Sequence, residues 1–103
     1  MNKSLIRFLI LPLMLGVIQT GAFADFSQHF DMGQSYLTQY RYSDAISEFK
    51  SALKINYMDT SARVGLINSF LARGTDYANK SGEYEKAADD FRAALFYLKY
   101  LPF

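Results

Sequence analysis

The sequence predicts an all-α protein of two stacked antiparallel helix hairpins that follow an N-terminal signal peptide. Three observations support this: an apolar pattern occurs twice, apolar residues recur at helical intervals beyond residue 25, and no segment alternates as a strand would. The two copies are Tyr42-x-x-Ala45-x-x-x-Phe49-x-x-Ala52-Leu53 and Tyr84-x-x-Ala87-x-x-x-Phe91-x-x-Ala94-Leu95. Internal repetition of helical segments is typical of proteins that present a binding surface.

Composition limits the function classes. A chain of 103 residues holds one domain at most. Its formal net charge of +1 argues against a nucleic-acid partner, which normally requires a basic surface. The sequence contains no cysteine, which excludes disulfides, thiolate metal sites and cysteine nucleophiles.

Residues 1–24 have the layout of a secretory signal peptide. Lys3 and Arg7 precede an apolar run, and Ala22-Phe23-Ala24 forms a small-x-small cleavage site before Asp25. The run is shorter than the roughly 20 residues that a membrane-spanning helix needs. We therefore expect cleavage after Ala24 and a periplasmic or secreted bacterial protein. The alternative is an uncleaved leader that anchors the protein in the inner membrane.

The predicted domain covers residues 25–103 and begins with one helix hairpin. The first helix is expected over about Phe26–Gln39, with Asp25 as its N-cap and Gln28 completing a capping box. After a tight connection, the second helix is expected over about 44–56, with Ser43 as its N-cap. Its expected buried stripe consists of Ala45, Ile46, Phe49, Ala52, Leu53 and Ile55.

The second hairpin is expected from about residue 60. Its first helix starts near Ser61, and we favour its continuation through Gly74 to Ala78, because no proline interrupts it. A loop is predicted at 79–82. The last helix is expected over about Glu83–Tyr100, ending before Pro102.

The spacing places small residues opposite large aromatic ones. Gly33, Ala45 and Ala52 would let antiparallel helices approach closely, while Tyr36 and Phe49 fill the adjacent space. In these residues the chain resembles the tetratricopeptide repeat family, whose pattern has a small residue and an aromatic in the first helix and Tyr-x-x-Ala, an aromatic and Ala in the second. The resemblance implies an α-solenoid, with repeat one at 26–59 and repeat two at 60–100.

The second repeat departs from that pattern. Ile67 stands where a small residue is usual, with Gly65 nearby, and an insertion falls near 72–83. The copies lie 42 residues apart, whereas the family period is about 34. HEAT and armadillo repeats of about 40–47 residues therefore remain an alternative, although the short first connection fits the tetratricopeptide form better.

The resemblance also implies a concave groove along the first helix of each repeat. A peptide or partner helix would bind there, with the side-chain amides of Gln34 and Asn68 as candidate hydrogen-bonding groups. The groove residues would be Phe30, Gln34, Leu37, Thr38, Val64, Asn68 and Leu71. For Phe30, Val64 and Leu71, ordinary packing is an equally good interpretation. A carboxylate clamp known from some relatives is not expected, because its basic members are missing.

No constellation of residues indicates catalysis. His29 is the only histidine and has no evident acidic partner at ligand spacing, so we expect neither a metal site nor a catalytic base. We interpret Asp89 and Asp90 as a solvated pair near Arg92 and Lys86. The sequence predicts no enzyme activity, cofactor, metal or small-molecule substrate.

The C-terminal segment is apolar around much of its last helix. A terminal repeat normally ends in a polar face, and two repeats are fewer than the usual three. We expect an apolar patch here that this chain leaves exposed. Further repeats in a longer chain, a second copy or a partner would cover it. The patch residues would be Phe96, Tyr97, Tyr100, Leu101 and Phe103.

The leading functional hypothesis is an exported scaffold for protein–protein interaction that binds a peptide or partner protein in the groove. One alternative is a helper repeat segment of a larger enzyme or of a secretion or assembly machine, truncated at residue 103. The other is a membrane-anchored assembly factor that retains its leader.

Overall fold

The described part of this protein is entirely helical. The computed structural model describes residues 21–99 and 101, and these contain no strand. Helix α1 includes residues 21–38. It is followed by α2 (Tyr42–Ile55), α3 (Thr60–Asp76), a π-helical turn (Tyr77–Ser81) and α4 (Tyr84–Leu98). The predicted all-α class is confirmed.

Helix α1 extends further toward the N-terminus than predicted. Residues 21–25 are already helical, so the predicted N-cap at Asp25 and its capping box with Gln28 are wrong. An N-cap residue has non-helical backbone angles, and Asp25 lies inside the helix instead. The rest of the predicted signal peptide lies outside the described residues.

The turn between α1 and α2 is closed by a left-handed residue. Tyr40 has φ 61°, its N–H donates to Leu37 O at 3.1 Å, and Arg41 N–H donates to Tyr36 O at 2.9 Å. These two bonds form the Schellman arrangement, in which glycine is usual at the left-handed position. Tyrosine is unfavourable there. Its ring contacts Tyr42 edge-on, with centroids 6.4 Å apart.

The caps of α2 and α3 differ from each other. Helix α2 begins at Tyr42 after Arg41, which makes no side-chain cap hydrogen bond, so the predicted cap at Ser43 is wrong. Ser43 lies within the helix. Helix α3 begins at Thr60, and the Asp59 carboxylate accepts a hydrogen bond from Ala62 N–H at 2.8 Å.

The predicted continuation of the third helix past Gly74 is confirmed. Helix α3 reaches Asp76, and the π-helical turn that follows replaces most of the predicted loop at 79–82. Gly82 ends the turn in the left-handed conformation, φ 65°, and its N–H donates to Tyr77 O. The insertion relative to the first hairpin is thus largely helical.

Contacts between helix ends show that successive helices run antiparallel. On α1 and α2, Tyr36 lies under Arg41 and His29 contacts Glu48. On α2 and α3, Ser43 near the start of one helix contacts Arg73 near the end of the other.

Helices α3 and α4 are also antiparallel. Arg73 near the end of α3 contacts Asp90, whereas Phe70, earlier in α3, stacks on Tyr97, later in α4. It follows that α1 and α3 run in the same direction, both antiparallel to α2.

The core is centred on the Phe49 ring, which has 0% exposure. A methyl group placed on Gly33 of α1 would lie 2.8 Å from Phe49 Cε1, and one placed on Gly65 of α3 would lie 2.5 Å from Phe49 Cζ. Both helices therefore lie against the same ring. A methyl group at either glycine would force the Phe49 ring to move. The predicted opposition of small and aromatic residues is confirmed here. Gly65, rather than position 67, supplies the small residue on α3.

The remaining core residues follow the repeated pattern closely. Ala45, Ala52, Ala87 and Ala94 are all buried, as predicted, whereas Ile55 of the predicted stripe is exposed. The rest of the core is built from α2 and α3. It consists of Ile46, Leu53, Ala62, Leu66, Ile67 and Phe70.

Candidate functional site

The predicted groove residues on α1 divide into two pairs. Phe30 and Leu37 are half-buried and pack against the core, and Phe30 meets the Phe49 ring edge-on, with centroids 5.9 Å apart. Gln34 and Thr38 are exposed. Thr38 Oγ1 donates to Ser35 O in its own helix at 2.7 Å. On this helix the polar pair is therefore the more exposed part of the predicted groove, and the apolar pair contributes mainly to the core.

The predicted groove residues on α3 are all exposed. Val64 has 39% and Leu71 has 43% of its surface accessible, and Asn68 is exposed between them. Their spacing of four and then three residues places them on one face of the helix. Two apolar side chains thus flank a side-chain amide along a solvent-exposed stripe, which resembles the layout of a peptide-binding surface.

The three described residues of the predicted C-terminal patch differ in exposure. Phe96 is exposed, but Tyr97 is half-buried, stacking on Phe70 with centroids 6.1 Å apart, and Leu101 packs against the core. Tyr97 and Leu101 are therefore core contacts, because α4 returns along α3 and brings them onto it. Tyr100 and Phe103 lie outside the described residues. Leu95 and Leu98 of the same apolar segment are also exposed on α4.

A cleft that the sequence did not reveal lies beside Phe96. One part, of about 350 Å³, is lined by Tyr57, Met58, Arg63, Phe96 and Tyr97. The adjoining part, of about 330 Å³, is lined by Lys50, Leu53, Lys54, Tyr57, Arg63 and Tyr97. Because three residues line both parts, we treat them as one depression, the terminal cleft. No sequence motif marks it, since its residues come from three helices and a turn.

His29 has the acidic partner that the sequence did not indicate. Its Nδ1 lies 2.6 Å from Glu48 Oε2, across α1 and α2. Nineteen positions separate the two residues, so local spacing could not bring them together. The contact links the two helices of the first hairpin.

Asp90 is buried, contrary to the predicted solvated pair. Its two carboxylate oxygens accept hydrogen bonds from Arg73 Nε and Nη2 at 2.9 and 2.7 Å. Arg73 Nη1 also donates to Ser43 Oγ at 3.1 Å. The hydrogen bond to Asp90 raises the pKa of Arg73 above its ordinary value. Asp89, in contrast, is exposed and pairs with Arg92 at 2.8 Å, as predicted.

A smaller ionic group lies where the π-helical turn meets α4. Glu83 accepts hydrogen bonds from Lys86 Nζ and Ser81 Oγ, each at 2.8 Å. The hydrogen bond from Lys86 and then that from Ser81 lower the pKa of Glu83, and Glu83 raises the pKa of Lys86. Lys86 therefore pairs with Glu83 rather than with the Asp89–Asp90 segment.

Residues 21–99 and 101 hold no cluster of three or more histidine or acidic side chains suited to a metal ion. Among the same residues, every buried side-chain nitrogen and oxygen has a hydrogen-bond partner. In the described part of the chain, no helix is both long enough and apolar enough to cross a membrane. The buried ion pair joins helices, and the exposed surfaces carry the candidate binding groups.

Comparison with known proteins identifies no relative. No protein-family model, no curated protein and no solved structure matches the chain.

Proposed function

We propose that this protein is an exported interaction scaffold of tetratricopeptide-like repeats that binds a peptide or a partner protein between α1 and α3. The observation that supports it most directly is the Phe49 ring held between Gly33 and Gly65. This contact sets two helices of the same direction side by side on a third. Such an arrangement is the unit from which helical solenoids are stacked.

The proposed groove presents an alternation of polar and apolar groups. Gln34 and Thr38 on α1 are exposed, and Asn68 on α3 is exposed between Val64 and Leu71. A bound segment would donate backbone hydrogen bonds to the amide oxygens and receive them from the amide nitrogens. Its apolar side chains would cover Val64 and Leu71. Binding then depends on shape and side-chain complementarity, and no covalent step is involved.

Site-specific photo-crosslinking in living cells tests this proposal. A photoreactive residue replaces Asn68 in the full chain, and a matched control replaces Asp89, which is also exposed and helical but lies on α4. We expect a discrete protein adduct from position 68 and none of the same mass from position 89. A second variant that adds Leu71→Glu should abolish the adduct, because a charge replaces an apolar contact.

Two results would contradict the proposed groove. One is an identical set of adducts from positions 68 and 89, which indicates random collision. The other is an adduct at position 68 that survives Leu71→Glu while circular dichroism shows the variant to be folded. A folded, groove-altered variant that keeps its partner does not use this surface.

One observation favours a second candidate, in which the leader is retained as a membrane anchor. Residues 21–24, at the predicted cleavage site, are helical and continuous with α1. Proteolysis generally requires a locally accessible and unstructured segment. Mass spectrometry of the N-terminus decides between the two: a chain that begins at Asp25 supports export with cleavage, and a chain that begins at Met1 supports the anchor.

A further inference from the structure

The terminal cleft combines exposed apolar surface with one sign of charge. Tyr57, Met58 and Phe96 each expose more than half of their surface, with values of 70%, 67% and 56%. Such a group of large apolar side chains is typical of an interaction site rather than of ordinary surface. The volume of about 350 Å³ for the larger part is at the low end of the roughly 300–1,000 Å³ of ligand pockets.

The charged residues that line the cleft are all cationic. They are Lys50, Lys54 and Arg63, and no described carboxylate lines either part. Asp59 is the acidic residue nearest in sequence, and its Oδ1 accepts the capping hydrogen bond from Ala62 N–H. In the described part of the chain, neither Lys50 nor Lys54 forms an ion pair. The cleft therefore offers a positive potential to whatever enters it.

Arg63 holds the floor of the cleft in place. It is only 9% exposed, it donates a hydrogen bond to Tyr57 O, and its guanidinium lies 5.9 Å from the centre of the Tyr97 ring. It thus connects the α2–α3 turn to α4. A site whose floor is already ordered loses less conformational entropy when it binds a ligand.

We propose that the terminal cleft binds an acidic segment of a partner protein, in which one or two carboxylate side chains adjoin a bulky apolar residue. The apolar residue would lie on Met58, Phe96 and Tyr97, and the carboxylates would approach Lys50 and Lys54. Charge complementarity selects this occupant over a basic or neutral peptide. The geometry favours a peptide segment over a membrane surface, because the cleft is a depression between α2, α3 and α4, whereas a membrane-binding helix presents a continuous apolar face along its length. The cleft is separate from the α1–α3 groove, so either proposal can fail alone.

Selection from a displayed library of random twelve-residue peptides tests the proposal on the full 103-residue chain. We expect enrichment of peptides with Asp or Glu next to Phe, Leu or Trp. A variant with Lys50→Glu and Lys54→Glu should bind the enriched peptides at least about tenfold more weakly. A control outside the cleft is Lys80→Glu, a single exposed charge reversal on the π-helical turn at a lysine that pairs with Asp76, and it should leave their affinity unchanged.

The apolar contact and the charge contact can be separated with the same peptides. Phe96→Ser should weaken binding at every salt concentration. The affinity for the wild-type chain should fall as salt rises, and this dependence should be smaller for the double lysine variant. Circular dichroism of each variant confirms that the helices are retained.

Several outcomes would overturn the proposal. If no acidic peptides are enriched, or if the double lysine variant binds the enriched peptides with undiminished affinity, the cleft is not an acidic-peptide site. A wild-type chain that forms a dimer and becomes monomeric with Phe96→Ser shows that a second copy covers the cleft. The third outcome is binding to vesicles of three parts phosphatidylcholine and one part phosphatidylglycerol, without enrichment of any peptide. If the double lysine variant loses this binding, the cleft binds an anionic membrane surface instead.

Discussion

The two copies of the apolar pattern have the same residues at its five defining positions but differ in how deeply these are buried. Leu53 ends the first copy and is 7% exposed, whereas Leu95 ends the second copy and is 64% exposed. Phe49 is fully buried, but Phe91 is half-buried. The small residues of both copies are buried alike. The pattern therefore determines which residues can be buried between helices. The number of neighbouring helices determines how many of those residues are buried.

The neighbours explain the difference between the two aromatic rings. Phe49 lies between glycines of two helices, α1 and α3. Within the described residues, the close glycine contact of Phe91 is to one helix, where a methyl group placed on Gly74 would lie 2.8 Å from its Cε1. A repeat flanked on both sides buries its aromatic completely, and a repeat flanked on one side leaves part of it to solvent.

The two copies also share a link to the preceding helix. The residue before each aromatic is acidic: Glu48 contacts His29 on α1, and Asp90 pairs with Arg73 on α3. The link in the second hairpin is the more buried one, and it uses two hydrogen bonds in place of one. The hairpin whose aromatic ring is less buried thus has the more buried polar link between its helices.

The largest expected effect comes from truncating the two aromatic rings. Phe49→Ala should lower the free energy of unfolding by about 3–5 kcal/mol, because it leaves a cavity between three helices. Phe91→Ala should cost roughly half as much, because its ring is already partly solvated. Urea unfolding followed by circular dichroism measures both.

Leu95→Ala serves as the control for that pair, because its side chain is exposed, and we expect a change within about 0.5 kcal/mol. Phe49→Leu provides a measurable intermediate if Phe49→Ala fails to fold. Equal losses for Phe49 and Phe91 would contradict the difference in flanking that the structure shows.

The next effect concerns the two acidic links. Asp90→Asn should destabilise the fold by about 1–3 kcal/mol, since it removes a charge from a buried bidentate pair whose arginine keeps some contact with solvent. Glu48→Gln should cost less, and Asp89→Asn, in an exposed pair, should cost under about 0.5 kcal/mol. The same unfolding measurement ranks all three. A result in which Asp89→Asn costs as much as Asp90→Asn would show that the burial of Asp90 is unimportant.

Glycine replacement compares how tightly each ring is held. Gly65→Ala should destabilise the protein by about 1–2 kcal/mol, because the overpacking of Phe49 exceeds the gain of nearly 1 kcal/mol in helix propensity. For Gly74→Ala the two effects should nearly cancel, because Phe91 has room to move toward solvent. Thermal unfolding measures both changes, with exposed Asn68→Ala as the control for propensity. A stabilising Gly65→Ala would mean that the Phe49 ring is not confined.

The smallest effect is a pH dependence at the start of α4. The pKa of Glu83 is lowered in the folded chain, so its contribution to stability is present above its unfolded value near 4.5 and is lost as pH falls through the folded value. Glu83→Gln should therefore lower stability near neutral pH and make the curve of stability against pH flatter below about pH 4.5. Urea midpoints measured between pH 3 and pH 7 record this.

Glu85→Gln is the matched control for Glu83, because it removes a neighbouring carboxylate that forms no ion pair with a described residue. We expect the acid part of its curve to keep the wild-type slope. If Glu83→Gln and Glu85→Gln gave the same curve, the hydrogen bonds from Lys86 and Ser81 would not stabilise this end of the second hairpin.

The sequence by itself determined the helical class, the order of the helices and the burial of the repeated alanines. It also located most helix ends to within a few residues. These follow from the spacing of apolar residues, which depends only on the geometry of a single helix. The tertiary structure decided that Gly65 receives Phe49, that Asp90 pairs with Arg73 rather than facing solvent, and that Tyr57, Arg63 and Phe96 meet in one cleft. Those contacts join residues far apart in the chain, and their positions depend on how helices pack against one another, which local periodicity does not specify.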